Sequence, residues 1–168
     1  MCIRDRFVGV LYCGLALTGR GLRVIEFNAR FGDPEVQSVL ARLETRLGHL
    51  LLAAATGTLS DEPPLRWRNA AAVTVVIAAH GYPEAPRAGD PITGVESAEA
   101  NAAVHVLHAG TALVDGVLVS SGGRVLSVVG VGASLADARA AAYAGVELID
   151  LPGSHHRSDI ALAAAEGG

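Results

Sequence analysis

The sequence predicts an α+β protein: a β-hairpin followed by helices in the first third, then a β-rich remainder with one long helix. Three patterns predict it. Residues 7–17 and 22–29 are apolar runs with strand-like character around a short glycine-containing turn. Val36, Val39, Leu40, Leu43, Leu47, Leu50 and Leu51 recur at three- and four-residue steps, which is helical spacing. From residue 70 onward, short runs rich in Val and Ile alternate with glycine turns until a single Ala-rich helical stretch begins at Leu135.

In order along the chain, Thr18-Gly19-Arg20-Gly21 turns the first strand into the second. On that second strand successive side chains alternate faces. Glu26 and Asn28 therefore share one face with Val24, and Ile25 and Phe27 point the other way into a core. Asp33 reads as an N-cap and Pro34 as a first-turn residue. The helical region runs to about Ala55, with a break near residues 42–45 or at Gly48. The Gly/Pro-bearing connection 56–64 marks a boundary between one unit over residues 7–60 and another over residues 65–168. Residues 70–79 then read as a buried strand, and 81–94 as a Gly/Pro loop holding Arg87 and Asp90. Strands follow at 104–108, 112–114, 116–120 and 124–131, with turns at Asp115-Gly116 and Gly122-Gly123. Ser134 caps a helix over 135–149 with Asp137 in its first turn. The Ala-rich tail after Ile160 reads as frayed.

Composition narrows the function classes. A net charge of −4 over 168 residues gives no electrostatic reason to expect nucleic acid. No apolar run approaches the roughly 18 residues that cross a membrane. Two arginines ahead of the apolar run imitate a short signal peptide, but Asp5 sits among them and no small-x-small cleavage pattern follows. Cys2 and Cys13 form no spaced metal motif and read as free thiols. All 13 basic residues are Arg, and no Gly-x-x-x-x-Gly-Lys-[Ser/Thr] loop is present.

The chemistry concentrates in Glu26-Phe27-Asn28-Ala29-Arg30-Phe31-Gly32-Asp33-Pro34-Glu35. A carboxylate beside an amide oxygen is a hard-oxygen pair suited to magnesium, which usually takes one or two protein ligands and completes its shell with water and phosphates. The ordinary alternative is the polar face of a half-exposed strand. Arg30 carries a donor fork for phosphate, or else pairs with Asp33 or Glu35. Asp33 either caps the helix or contacts substrate. His80, His105 and His108 read as isolated structural histidines, since the last two lie three apart on a strand and His155-His156 are adjacent; neither pair has zinc spacing.

This decapeptide resembles the metal-binding signature of the phosphoribosylamine–glycine ligase family of ATP-grasp enzymes. The likeness continues in residues 7–12, Gly81-Tyr82-Pro83, His108-Ala109-Gly110-Thr111, Gly122-Gly123-Arg124-Val125 and Arg157-Ser158-Asp159-Ile160. The first six residues do not continue it and suggest an artificial or truncated start. Glu84 and Ala161 stand where the family favours Gly. Biotin-dependent carboxylases share Glu-x-Asn but continue differently after the Arg.

The resemblance implies the C-terminal part of an ATP-grasp subdomain followed by a barrel- or sandwich-like C-terminal domain. It implies a cytoplasmic ligase of purine biosynthesis that uses ATP with Mg2+ or Mn2+ to join glycine to 5-phosphoribosylamine, with the amino-terminal domains missing here. Glu26 and Asn28 would hold the metal and nucleotide, Arg30 would be catalytic, and Asp33 would bind substrate. Without those domains the chain itself is expected to be inactive. The other reading is a non-catalytic β-rich module that keeps the fold and assembles with a partner.

Overall fold

The computed structural model describes residues 7–167; Cys2 and the rest of 1–6 lie outside the described residues. The fold is mixed α/β. Its described residues divide into two compact units, one of residues 7–36 and 43–68, the other of residues 37–42 and 69–167.

The first unit is built on a two-stranded antiparallel hairpin, β1 (Tyr12–Thr18) and β2 (Gly21–Asn28). Gly9, at φ +146°, interrupts the extended run, so β1 starts later than the apolar pattern does. Gly21, at φ +86°, closes the turn, helped by the Thr18 hydroxyl donating to the Gly21 carbonyl at 2.9 Å. Gly14 faces Glu26 and Leu15 faces Val24, so Ile25 is the extra residue of a β-bulge. Facing residues share a face of the ladder, so the bulge carries Val24 to the face opposite Glu26, which corrects the expected alternation. Ile25 and Phe27 do not enter a core either: they are 69% and 61% exposed.

Helix α1 (Glu35–Arg42) follows, and after a break comes α2 (Leu47–Thr56). The break falls where Leu43 bridges to Trp67 and the Glu44 amide bonds to the Arg66 carbonyl at 3.0 Å. The Thr45 hydroxyl accepts from the Arg66 amide at 2.8 Å. Gly57 ends α2 in the left-handed conformation, its amide returning to the last turn.

The second unit centres on an antiparallel sheet in the order β3 (Ala71–Ala78), β7 (Arg124–Gly132), β4 (Val104–His108). Residues 125–130 of β7 are all buried, as befits a central strand covered on both faces. A short helix α3 (Val95–Glu99) precedes β4, and a ribbon of β5 (Thr111–Val114) with β6 (Val117–Ser120) connects β4 to β7. Asp115 (φ 51°) and Gly116 (φ 80°) make that ribbon's turn. Helix α4 (Leu135–Leu148) lies on the sheet through Ala138, Ala142, Gly145 and Val146. Its approach is set by glycine: a Cβ on Gly130 would fall 2.2 Å from the Ala138 carbonyl oxygen and 2.3 Å from the Ala142 nitrogen. A reciprocal capping box starts α4, with the Asp137 amide on Ser134 Oγ and the Ser134 amide on Asp137 Oδ2, both at 3.1 Å.

The tail corrects the frayed reading. Helix α5 (Leu162–Glu166) forms there because tertiary contacts hold the chain leading into it. Arg139 on α4 donates to the carbonyls of Ile160 (3.0 Å) and Ser158 (2.6 Å), and the Tyr143 hydroxyl donates to the Arg157 carbonyl at 2.6 Å. Ala161 enters α5 at φ +57°, while Glu84, the other departure from glycine, carries no positive φ. No described helix is long and apolar enough to cross a membrane.

Candidate functional site

The Glu26–Asn28 face of the hairpin is assembled from small residues and one ring. Asn28 faces Tyr12 and Glu26 faces Gly14, so all four share a face. Gly14 leaves the space in which the Glu26 side chain lies, since a Cβ there would come within 3.1 Å of Glu26 Cγ. Gly32 plays the same part for the turn. A Cβ on it would meet Tyr12 Cε2 at 2.9 Å and Glu35 Oε2 at 2.7 Å. The Tyr12 ring therefore lies against the Gly32 backbone, and its hydroxyl donates to Glu35 Oε1 at 3.3 Å. The Val36 amide, at the start of α1, bonds back to the Gly32 carbonyl at 3.1 Å across the turn, and the Asp33–Pro34 peptide between them is cis.

The Tyr12 phenol is pushed above its ordinary range by desolvation first, then by the charge and hydrogen bond of Glu35 and the charge of Glu26; Arg30 pulls the other way. One hydroxyl thus feels Glu26, Glu35 and Arg30 together. Arg30 Nη1 donates to the Phe31 carbonyl at 2.7 Å, using one of the guanidinium's five donors. Asp33 is exposed at the start of the turn.

The donor set suits a hard cation: a carboxylate and an amide oxygen side by side on an open face, leaving positions for water and phosphate. Among the described residues no group of three or more His, Cys, Asp or Glu is arranged to hold a metal. Two grooves of this unit, one lined by residues such as Phe7, Ala54 and Leu59 and one by residues such as Glu44, His49 and Glu62, do not include Glu26 or Asn28. Cys13 is an exposed free thiol. His108 Nδ1 lies 3.1 Å from the Thr111 hydroxyl, a local contact of the ribbon.

Compared with known proteins, residues 72–163 match the family model described as "Phosphoribosylglycinamide synthetase, C domain", more than half of the chain. The chain belongs to the phosphoribosylglycinamide synthetase family. Residues 3–36 match that family's ATP-grasp (A) domain. This second match holds the whole Glu26–Glu35 run and begins inside the first six residues, which were expected to fall outside the family pattern.

The relatives are consistent with one another. The phosphoribosylamine–glycine ligase of Streptomyces coelicolor is 62% identical over 161 residues, covering 95% of this chain and 39% of the relative. That of Mycobacterium tuberculosis is 61% identical over 162 residues, covering 96% and 37%. The crystal structure of the Thermotoga maritima phosphoribosylamine–glycine ligase superposes with a TM-score of 0.76 at 36% identity, covering 89% of this chain and 36% of that one. The chain thus spans about two-fifths of the length of the curated relatives it matches.

Within this family the sequence pointed to Glu26, Asn28, Arg30 and Asp33. It missed Tyr12 and the two glycines that shape the face. Tyr12 had a signal in the strand pairing: counting back from the hairpin turn places it near Asn28.

Proposed function

We propose that this chain is part of an ATP-dependent ligase that joins glycine to 5-phosphoribosylamine, giving glycinamide ribonucleotide, ADP and phosphate in cytoplasmic purine biosynthesis. The observation that carries the reading is the shared face of Glu26 and Asn28, closed on one side by the Tyr12–Glu35 bond. Under this reading the hairpin and its helices are the closing part of an ATP-grasp fold, and residues 65–168 are the barrel- or sandwich-like C-terminal domain of the family.

In the reaction, the glycine carboxylate attacks the γ-phosphorus of ATP, giving glycyl phosphate and ADP. The amine nitrogen of phosphoribosylamine then attacks the acyl carbon, phosphate leaves, and the amine loses a proton. Glu26 and Asn28 would hold the Mg2+ or Mn2+, which when bound supplies Lewis-acid charge stabilisation to the phosphates. Arg30 would direct its remaining donors at the transferring phosphoryl group, where charge-assisted bonds are strongest. Asp33 would receive the ammonium group of a substrate. Tyr12 holds Glu35 to the same face and so adds to its negative potential. The sequence holds no lysine, so phosphate-binding lysines would come from the amino-terminal domains that the relatives have.

The test is a fusion of this chain to the amino-terminal part of the Streptomyces coelicolor ligase, joined at the matching residue. ADP release that depends on both glycine and phosphoribosylamine is the expected result. Glu26→Ala should abolish it at saturating magnesium with the circular dichroism spectrum unchanged; wild-type turnover by that variant would remove Glu26 from the ligand set. The chain alone should form no glycinamide ribonucleotide.

A non-catalytic assembly module is the second reading, favoured by the exposed apolar side chains of the hairpin, among them Leu17, Leu22 and Ile25. An inactive but folded fusion would favour it.

A further inference from the structure

The β1–β2 hairpin has one polar and one apolar face, and the bulge at Ile25 is what sorts them. Register sets Cys13 opposite Phe27, Leu15 opposite Val24 and Leu17 opposite Leu22, three rows on one face. The other face holds Tyr12 and Asn28 together with Arg23 and Glu26, the two charged residues of the strands. Strict alternation along β2 would instead place Arg23 beside Phe27 and send Leu22 and Val24 to the side of Glu26. One extra residue at position 25 reverses the pattern beyond it, so the apolar face carries no charge.

That face is bare. Leu15, Leu17, Leu22, Val24 and Phe27 are between 53% and 86% exposed. With roughly 200 Å2 for a large apolar residue, they present on the order of 600 Å2 of apolar surface per chain. A patch of that size on a monomer marks an interaction site. Two such faces together reach the roughly 1,200 Å2 at which specific interfaces begin. A two-stranded hairpin by itself is marginal in water and needs further strands or a covering layer. Two hairpins stacked about 10 Å apart make a four-stranded sandwich with both apolar faces inside.

We propose that this face is the interface of a homodimer, in which a second copy of the chain seats the same face across a two-fold axis. A two-fold interface sets a patch against itself. Charges on the patch would oppose that pairing, and the bulge has moved Arg23 to the far side with Glu26. The Glu26–Asn28 face stays outside the interface. The proposal names the partner that the assembly reading leaves open and rests on that reading's exposed hairpin, not on the ligase chemistry.

The test is sedimentation velocity of the chain across the micromolar range, where an interface at the small end of the size scale is expected to assemble. The expected result is a concentration-dependent species of twice the 17.1 kDa chain mass and none larger. Leu17→Glu places an unpaired charge in the interface and should weaken dimerisation about ten-fold or more. Leu22→Glu, in the same row, should do likewise. Both residues are exposed beside the turn, so the circular dichroism spectrum should not change. Arg23→Ala alters net charge by the same amount from the opposite face and should leave the dimer intact. A chain that is monomeric at every concentration overturns the proposal; if that monomer instead forms a one-to-one complex with the amino-terminal part of the Streptomyces coelicolor ligase, the face belongs to that part. Dimerisation untouched by both glutamate variants, or lost equally in Arg23→Ala, overturns the assignment to this face. Growth beyond the dimer also overturns it, since open strand edges would then be the associating surface. The two readings of function are tested by turnover of the fusion, so their failure and that of the dimer show in different measurements.

Discussion

Replacing Ala161 by Gly should stabilise the end of the chain. Ala161 opens α5 at φ +57°, a conformation that costs an L-residue with a Cβ roughly 1–2 kcal/mol. Glycine removes that cost but adds roughly 0.4–1 kcal/mol of unfolded-chain entropy. The Ala161 methyl packs against the core of the second unit, so its loss trims a few tenths more. The net gain is about 0.5 kcal/mol, or about two-fold in the local opening equilibrium. The Ala165 amide, bonded to the Ala161 carbonyl at 2.9 Å, reports that opening by hydrogen exchange. Its protection should rise about two-fold in Ala161→Gly and fall in Ala161→Val, since a β-branched residue tolerates positive φ poorly. Unchanged or reduced protection in the glycine variant would show that α5 is not limited by the strain at its first residue.

Other perturbations test other parts of the molecule. Gly130→Ala drives a methyl into the α4 backbone, which no rotamer change relieves, so a loss of about 3 kcal/mol is expected; a melting temperature within experimental error of wild type would contradict the helix placement. Ser134→Ala removes half of the capping box and should cost about 1 kcal/mol by chemical denaturation. Tyr12 should ionise at higher pH than a free tyrosine, so its favourable contribution persists below the ordinary phenol range and is lost as pH rises through the elevated folded value. Glu35→Gln should bring the Tyr12 ultraviolet titration back down, and no change in that variant would break the Tyr12–Glu35 link.

Much of this was legible because it depends on near neighbours in sequence. Ser134 and Asp137 sit at capping-box spacing, and the structure closes both bonds. Glu26 and Asn28 are two apart on a strand, and no bulge falls between them, so they share a face. Val24 defeats the same rule because the bulge at Ile25 depends on how β1 pairs, which the sequence of β2 alone does not carry. Ile25 and Phe27 look like core residues by type, but burial needs a covering surface, and their own pattern does not provide one. The tail was misjudged for the opposite reason: its composition is weak, yet Arg139 and Tyr143 anchor the segment before it.

The grouping of residues 37–42 with the second unit bears on how such a protein can be divided and inherited. That unit is discontinuous: six of its residues precede a stretch belonging to the other unit, and Ser38 is tied to Thr74 on β3 by a 2.7 Å hydroxyl contact. A single protease nick or gene crossover at the glycine- and proline-bearing connection, residues 56–64, would strand those six residues on the wrong piece. The matched family segments end at residue 36 and resume at residue 72, so residues 37–42 belong to neither. A second unit expressed from residue 69 onward would leave the Thr74 hydroxyl without its partner, so a clean excision has to carry residues 37–42 along.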